Sequence, residues 1–180
     1  MPTGPAIRPR RDDDLSTLAN VLVRVHAYDG YPVEGVADPE AWLQHPRELR
    51  SWTADIAGFP AGQITLITAS AEDDAARVWH EHTGGDIDRL AIPARLFVDP
   101  DHRGTGTGLQ LIRTAVRYAH SLGRSVAFDV MEKDSAAIRV YERMGAVRLR
   151  SVTHHHGGGL TEPAAVFMVP SPANETPPHR

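Results

Sequence analysis

The sequence predicts a mixed α/β fold built on one central sheet. Short runs of alternating apolar residues mark several strands, and apolar stripes with helical spacing lie between some of them. The second half of the chain follows the order strand, helix, strand, helix, strand, strand. A strand joined to the next through a helix forms a parallel crossover, whereas a hairpin forms an antiparallel pair. The sheet is therefore predicted to be mixed.

The first half of the chain supplies a short strand, a helix and a hairpin. Three consecutive aspartates suit the positive end of the helix that follows them, and a segment dense in glycine and proline predicts a loop after it. The predicted elements are a strand at 6–8, a helix from Leu15 to Val25, a loop at 28–39, a short helix opened by Pro39, and a hairpin of strands 49–57 and 62–69 joined by GFPA.

The second half supplies the crossovers. Residues 71–82 are predicted as a helix or an irregular excursion. Pro100 stops the strand ARLFV because proline has no N–H to pair, and glycines end both later helices as left-handed caps. The predicted elements are a helical face from Leu109 to Ala119 closed by Gly123, a strand at 125–130, a helix capped by Asp134 or Ser135 and stopped by Gly145, and two strands, VRLRSV and AAVFMV, around residues 154–163.

Composition limits the class of protein. The chain has 180 residues, of which 41% are apolar, and it carries a net charge of −4. Nucleic-acid binding is not expected, because basic residues are not in excess. The N-terminus lacks the apolar segment of a signal peptide, and the sequence has no cysteine. We expect one domain over residues 1–170, a disordered tail at 171–180, no membrane partner and a cytoplasmic location.

A glycine loop, RGTGTG at 103–108, lies between a predicted strand and a predicted helix. Glycines let backbone N–H groups approach a ligand closely, so a phosphate is the expected ligand. A Walker loop requires Lys after its last glycine, and here Gly106 is followed by Thr107 and Gly108. A dinucleotide fingerprint requires a third glycine where Leu109 stands. An ordinary turn remains an alternative for the loop taken alone.

Two segments together resemble the GNAT acetyltransferases. They are LFVDPDHRGTGTGLQLI at 96–112 and DVMEKDSAAIRVYERMGA at 129–146, and they lie in the order and at the spacing of that family. The resemblance implies a mostly antiparallel mixed sheet with a splayed parallel strand pair, flanked by helices. It also implies acetyl-CoA as cosubstrate and no metal.

The resemblance assigns the coenzyme contacts residue by residue. The backbone of Leu96, Phe97 and Val98 would pair with the pantetheine arm. The loop amides would hold the pyrophosphate at the start of the next helix. The implied contacts are Leu96, Phe97, Val98, Arg103, Gly104, Thr105, Gly106, Thr107, Gly108, Asp134, Ala137 and Tyr141.

The same resemblance makes Tyr141 the general acid that protonates the departing thiolate. Asp134 stands where the family often has Asn, and Ala146 stands where an aromatic residue is usual. Taken alone, Tyr141 would be read as a core residue, because it shares an apolar helical face with Ala137 and Ile138.

Spacing alone does not identify a general base. Asp129, Asp88 and Glu34 are the carboxylates considered, with a bound water as the alternative. The HEH sequence at 80–82 does not have the spacing of a zinc protease, and of His154, His155 and His156 only the first and third share a strand face, so no metal site is predicted.

We therefore expect an N-acetyltransferase that transfers acetyl from acetyl-CoA to the primary amine of a small molecule or peptide. Direct attack needs no covalent enzyme intermediate, consistent with the missing cysteine. The region of Tyr28, Asp29, Tyr31 and Trp42 either folds over the acceptor or forms a surface loop with two buried rings. The alternative function is an inactive acyl-CoA-binding sensor or partner module, and a homodimer is compatible with either.

Overall fold

The computed structural model describes residues 4–155 and 159–172, which form seven strands and five helices. Short 3-10 turns precede α1, β4 and α4. The elements in chain order are β1 (Ala6–Pro9), α1 (Leu15–Asp29), α2 (Pro39–Leu43), β2 (Glu48–Ile56), β3 (Phe59–Thr68), α3 (Asp74–Thr83), β4 (Leu90–Val98), α4 (Thr107–Ser121), β5 (Ser125–Met131), α5 (Ser135–Arg143), β6 (Val147–His155) and β7 (Thr161–Val169).

The strands form one sheet in the order β1-β2-β3-β4-β5-β7-β6. Every neighbouring pair is antiparallel except β4 and β5, which are parallel and joined through α4. The predicted mixed, mostly antiparallel sheet flanked by helices is confirmed. Proteins connect parallel strands through a helix because the chain must return to the same end of the sheet.

Helices cover both faces of this sheet. Phe97 packs in a cluster with α1 and α2, whereas the next residue, Val98, packs in the cluster that contains Leu111 and Ile112 of α4. Consecutive strand residues point to opposite faces. Helices α1 and α2 therefore lie on one side of the sheet, and α4 lies on the other. α3 packs on β5, β6 and β7 at the other end.

The structure corrects three predicted boundaries. The hairpin between β2 and β3 turns at Ala57 and Gly58 rather than across GFPA, because both residues adopt left-handed conformations, with φ of 52° and 85°. The uncertain segment 71–82 contains the regular helix α3. β6 continues to His155, which places His154 in a strand rather than in the predicted hairpin loop.

Two further expectations fall partly or wholly outside the described residues. Of the predicted tail at 171–180, only residues 171 and 172 are described, and His156 is not described. Across the described ranges, no helix has the length and apolar character needed to cross a membrane.

Candidate active site

The sheet opens between its two parallel strands. β4 and β5 pair only at Leu90 with Ser125 and at Ala91 with Val126. Beyond Ala91 the strands separate, which confirms the predicted splayed pair. The remaining backbone of β4 still pairs with β3 on its other side, so its β5-facing edge is left for another partner.

A β-bulge shapes β4 beside this opening. Gln63 pairs with Phe97 and Thr65 pairs with Ala94, so β4 carries one more residue than β3 across this interval. Arg95, within the bulge, has a φ of 55°, a left-handed conformation that is uncommon outside glycine. Such a bulge bends a strand and increases its twist, which contributes to the divergence of β4 from β5.

The glycine loop follows β4 and leads into α4. Gly104 and Gly106 have φ values of 76° and 79°, and Gly106 is the residue before the first turn of the helix. No backbone N–H from Arg103 to Gly108 has an acceptor among the residues that the structure describes. Unpaired N–H groups at a helix N-terminus favour an anion. The loop thus has the geometry of an anion-binding site.

Asp99 anchors the start of this loop. Its carboxylate is fully buried, and it accepts the Asp101 N–H at 3.0 Å and pairs with Arg24 of α1 at 2.8 Å. A buried carboxylate needs such partners to offset its lost hydration. Its contacts hold the first turn of the loop against α1.

The Arg103 side chain supports the loop. Its Nε donates to the Val98 carbonyl at 3.0 Å, and its Nη1 pairs with Asp29 at 2.8 Å. The guanidinium also lies 5.4 Å from the Tyr28 ring centroid. These contacts fix the side chain against the end of α1. The group of Arg103 that could contact a phosphate is therefore its backbone N–H.

The second segment forms α5, which begins where the sequence predicts. Asp134 caps this helix by accepting the Ala137 N–H at 3.1 Å. The cap occupies one of its two carboxylate oxygens, so the predicted coenzyme contact of Asp134 stays a prediction.

Tyr141 of α5 packs edge-on against Phe128 of β5, with ring centroids 4.7 Å apart. Burial raises the pKa of the Tyr141 phenol, and the nearby Asp134 carboxylate raises it further. The hydroxyl therefore remains protonated at neutral pH and can donate a proton. Burial also raises the pKa of Tyr31, with Glu34 and Tyr141 adding to the effect, so Tyr31 belongs to the same enclosed region.

Aromatic residues also line the β4 side of the opening. Tyr31 packs edge-on against Trp42 at 5.8 Å, and Trp42 lies 6.3 Å from Phe97. Glu34 accepts the Trp42 Nε1–H at 2.7 Å, and the Arg95 guanidinium lies 4.9 Å from the Trp42 ring while donating to its carbonyl. The loop region flagged in the sequence thus packs on β4. Tyr28, by contrast, is 72% exposed.

A cavity of about 570 Å³ reaches the diverging strands. Its wall is formed by the start of α3 and the two residues before it, by the chain before β2, and by residues of four strands: Ile67 of β3, Ile92, Pro93 and Ala94 of β4, Asp129 of β5, and His154 and His155 of β6. Phe128 and Asp129 are consecutive in β5 and so point to opposite faces of the sheet. Tyr141, which contacts Phe128, and Asp129 therefore lie on opposite sides of the opening.

Asp129 has the environment of a proton acceptor. Burial raises the pKa of its carboxyl, His154 opposes the rise, and Asp74 and Asp73 add to it. His154 Nδ1 lies 3.5 Å from Asp129 and 3.7 Å from Asp74. It reaches across β7, whose intervening residue Ala164 is small and fully buried.

The other base candidates have different surroundings. Glu34 is engaged by the Trp42 indole, and Asp88 lies in the turn before β4. The pairing of His154 with Asp74 and Asp129 escaped the sequence analysis, because it joins three elements that are distant in sequence. The one sequence feature that pointed to this pairing is that His154, if it lies in a strand, must project from one defined face of the sheet. Within the described ranges, no group of three or more His, Cys, Asp or Glu side chains is arranged to hold a metal ion.

A sheet that opens between two parallel strands, beside a glycine loop of unpaired N–H groups, defines a class of α/β proteins that hold a phosphate-bearing ligand against the sheet. The model of the acetyltransferase (GNAT) family matches residues 19–146. The chain belongs to that family.

Individual relatives agree with this membership. An uncharacterised N-acetyltransferase of Methanocaldococcus jannaschii is 43% identical over 51 residues, which are 28% of this chain and 23% of that protein. The structure of Arabidopsis thaliana NAA60 in complex with acetyl-CoA has a TM-score of 0.69 and 20% identity, covering 91% of this chain and 98% of that one. An N-acetyltransferase from Staphylococcus aureus Mu50 has a TM-score of 0.69 and 15% identity, covering 93% and 98%. At these identities the structural likeness shows the fold.

Proposed function

We propose that this protein transfers the acetyl group of acetyl-CoA to the primary amine of an acceptor by direct attack. The observation that carries the proposal is the placement of Tyr141 and Asp129 on opposite faces of the sheet at its opening. A thioester held in the opening would have a proton donor on one side and a proton acceptor on the other. General acid–base catalysis of acyl transfer to an amine uses one group of each kind.

The coenzyme would lie along the free edge of β4, with its pyrophosphate on the glycine loop. The unpaired N–H groups and the left-handed glycines of the loop support this position. The contacts proposed for it are Leu96, Phe97, Val98, Arg103, Gly104, Thr105, Gly106, Thr107, Gly108, Asp134, Ala137 and Tyr141.

The proposed reaction balances without a metal or a covalent enzyme intermediate. The neutral amine nitrogen forms a bond to the thioester carbonyl carbon, whose oxygen is polarised by a backbone N–H near Val98. Asp129 takes the proton that the nitrogen loses. The carbon–sulfur bond breaks, and Tyr141 gives its hydroxyl proton to the departing thiolate and regains one from solvent. The raised pKa of Asp129 suits a base at neutral pH, and the Tyr141 hydroxyl holds its proton there.

A thermal-shift titration followed by a turnover assay tests the proposal. Acetyl-CoA should raise the Tm, because a ligand at 100 times its Kd stabilises the folded state by about 2.7 kcal/mol. ATP and NADH serve as phosphate-bearing controls and should have smaller effects. Amine-dependent release of free CoA then establishes transfer.

Three outcomes separate the alternatives. A shift with acetyl-CoA and CoA release with an amine support the transferase. A shift without release from a broad amine panel supports the sensor or partner module instead. No shift, or equal shifts with all three compounds, contradicts a coenzyme site at the loop.

A further inference from the structure

The cavity beside Asp129 has an unbalanced charge. Its wall holds more carboxylates than permanent cations, since Arg47 is the one Lys or Arg among the lining residues. Arg47 is paired with Asp73 through two contacts of 2.7 and 2.9 Å, so this guanidinium is already neutralised. The carboxylates of the wall are Glu72, Asp73, Asp74 and Asp129.

His45 does not restore the balance at neutral pH. Burial lowers the pKa of His45, and the Arg95 and Arg47 guanidinium groups lower it further, so its ring is neutral at pH 7. His154 faces both Asp74 and Asp129.

Two carboxylates are available to a ligand at different depths. Asp129 lies at the diverging strands. Glu72 lies at the exposed rim and has no ion pair with another described residue. Asp74 contacts Arg77 and lies 3.7 Å from His154, which itself lies 3.5 Å from Asp129. A ligand that reaches from the strands to the rim therefore meets negative charge at both ends.

We propose that the acceptor is a small diamine or polyamine, whose reacting amine lies at Asp129 and whose second cationic group is held by Glu72 and Asp74. This inference rests on the proposed function and names the acceptor class of the same site. The cavity volume of about 570 Å³ suits a small molecule. Complementary charge favours a cationic acceptor over a neutral or anionic one of equal length.

Arg95 does not provide a competing anion site in this cavity. Its guanidinium is engaged by the ring and carbonyl of Trp42, and the residue is not part of the cavity wall. An acceptor with a carboxylate, such as an amino acid, would therefore place that group against Glu72 and Asp74 without a free cation to pair with it.

The test compares acceptors that share a reacting amine and differ in their far end. With saturating acetyl-CoA, CoA release is measured for 1,4-diaminobutane, n-butylamine and 4-aminobutanoate, with spermidine as a longer polyamine. We expect kcat/KM for the better of the two polycations to exceed that of butylamine at least tenfold, which corresponds to about 1.4 kcal/mol. The anionic amine should be the poorest acceptor.

Variants of the rim then connect this preference to the cavity. Glu72→Gln and Asp74→Asn should each lower the ratio of kcat/KM for the polycation to that for butylamine about threefold or more, the effect of losing an ion pair in a half-solvated site. Asp13→Asn removes an exposed carboxylate outside the cavity and should leave the ratio unchanged.

The outcomes distinguish this inference from the proposed function. Equal or faster CoA release from butylamine or 4-aminobutanoate overturns the cationic acceptor and leaves the transferase intact. A polycation preference that neither rim variant reduces also overturns it. Acetyl-CoA binding without CoA release from any of these amines, or from a broader panel, overturns the transferase itself and the inference with it.

Discussion

At the scale of single residues, Tyr141 owes its proposed role to its surroundings. The ring rests on Phe128, and burial keeps the hydroxyl protonated. Tyr141→Phe keeps the ring and removes the proton, so we expect kcat to fall about 100-fold, a typical contribution of a general acid. Steady-state kinetics and a thermal-shift titration check this. Acetyl-CoA affinity should be nearly unchanged, and an unchanged kcat would remove Tyr141 from this role.

Asp129 is expected to favour activity at the expense of stability. Because burial raises its pKa, the folded chain binds this proton more tightly than the unfolded chain does. The free energy of unfolding therefore falls as the pH rises from the ordinary Asp pKa through the folded value, and at neutral pH the ionised carboxylate is destabilising. Asp129→Asn should raise the Tm at pH 7 by about 2–4 °C, the shift that 1 kcal/mol gives at this size.

The same variant should change the pH profile. In the parent protein, kcat/KM should rise with pH as Asp129 loses its proton, with a midpoint above the ordinary Asp range. Asp129→Asn should be far slower and should lose this limb, while the limb due to the acceptor's own ammonium remains. The Asp13→Asn variant serves as control. A lower Tm together with an unchanged pH profile would contradict the role given to Asp129.

At the scale of elements, the approach of β3 to β4 depends on Gly62. A Cβ at this position would lie 2.6 Å from the Phe97 carbonyl oxygen and 3.1 Å from the Val98 Cα. Both are backbone atoms, so the clash cannot be relieved by a side-chain rotation. The residues that this glycine accommodates are those proposed to pair with the coenzyme.

We therefore predict that Gly62→Ala shifts β4. It should destabilise the fold by about 1–3 kcal/mol, the usual cost of overpacking, and should weaken acetyl-CoA binding at the same time. Chemical unfolding and acetyl-CoA titration measure the two effects. Gly4→Ala is a suitable control, because a Cβ there meets no atom within 4 Å. Wild-type acetyl-CoA affinity in Gly62→Ala would show that the position of β4 does not limit binding.

At the scale of the whole molecule, a partly buried ion-pair cluster joins β1 to β2 and to the start of α1. Arg8 contacts Asp14 at 2.7 and 2.8 Å and Asp55 at 3.1 Å. Asp14 also accepts the Arg11 N–H at 2.8 Å and the Thr53 hydroxyl at 3.2 Å. The hydrogen bond from Arg8 is the main cause that lowers the pKa of Asp14, and burial opposes it.

Asp14 should therefore stabilise the fold at neutral pH. A carboxyl with a lowered folded pKa contributes stability that is present above its ordinary pKa and is lost as the pH falls through the folded value. Asp14→Ala should cost about 2–4 kcal/mol at pH 7, because Arg8 loses one of its two carboxylate partners and the Arg11 N–H and Thr53 hydroxyl lose their acceptor. Urea unfolding from pH 7 to pH 2 measures both effects. Asp13→Ala, at an exposed neighbour, should change stability by less than about 0.5 kcal/mol.

The sequence by itself determined the order of elements and the ends that glycine, proline and aspartate define. The cap at Asp134 and the loop glycines follow from local backbone preferences, which depend only on near neighbours. Two segments in a fixed order were also sufficient to indicate the family. The hairpin at Ala57 and Gly58 was misplaced because an alanine in a left-handed conformation leaves no compositional signal.

Only the tertiary structure decided which side chains meet. Asp129, Asp74 and His154 come from three elements, and their contacts depend on sheet order, on strand faces and on the small Ala164 between them. The placement of Tyr141 opposite Asp129 likewise required knowing which residue of β5 the helix α5 covers. Such contacts depend on packing between distant segments, which local sequence preferences do not encode.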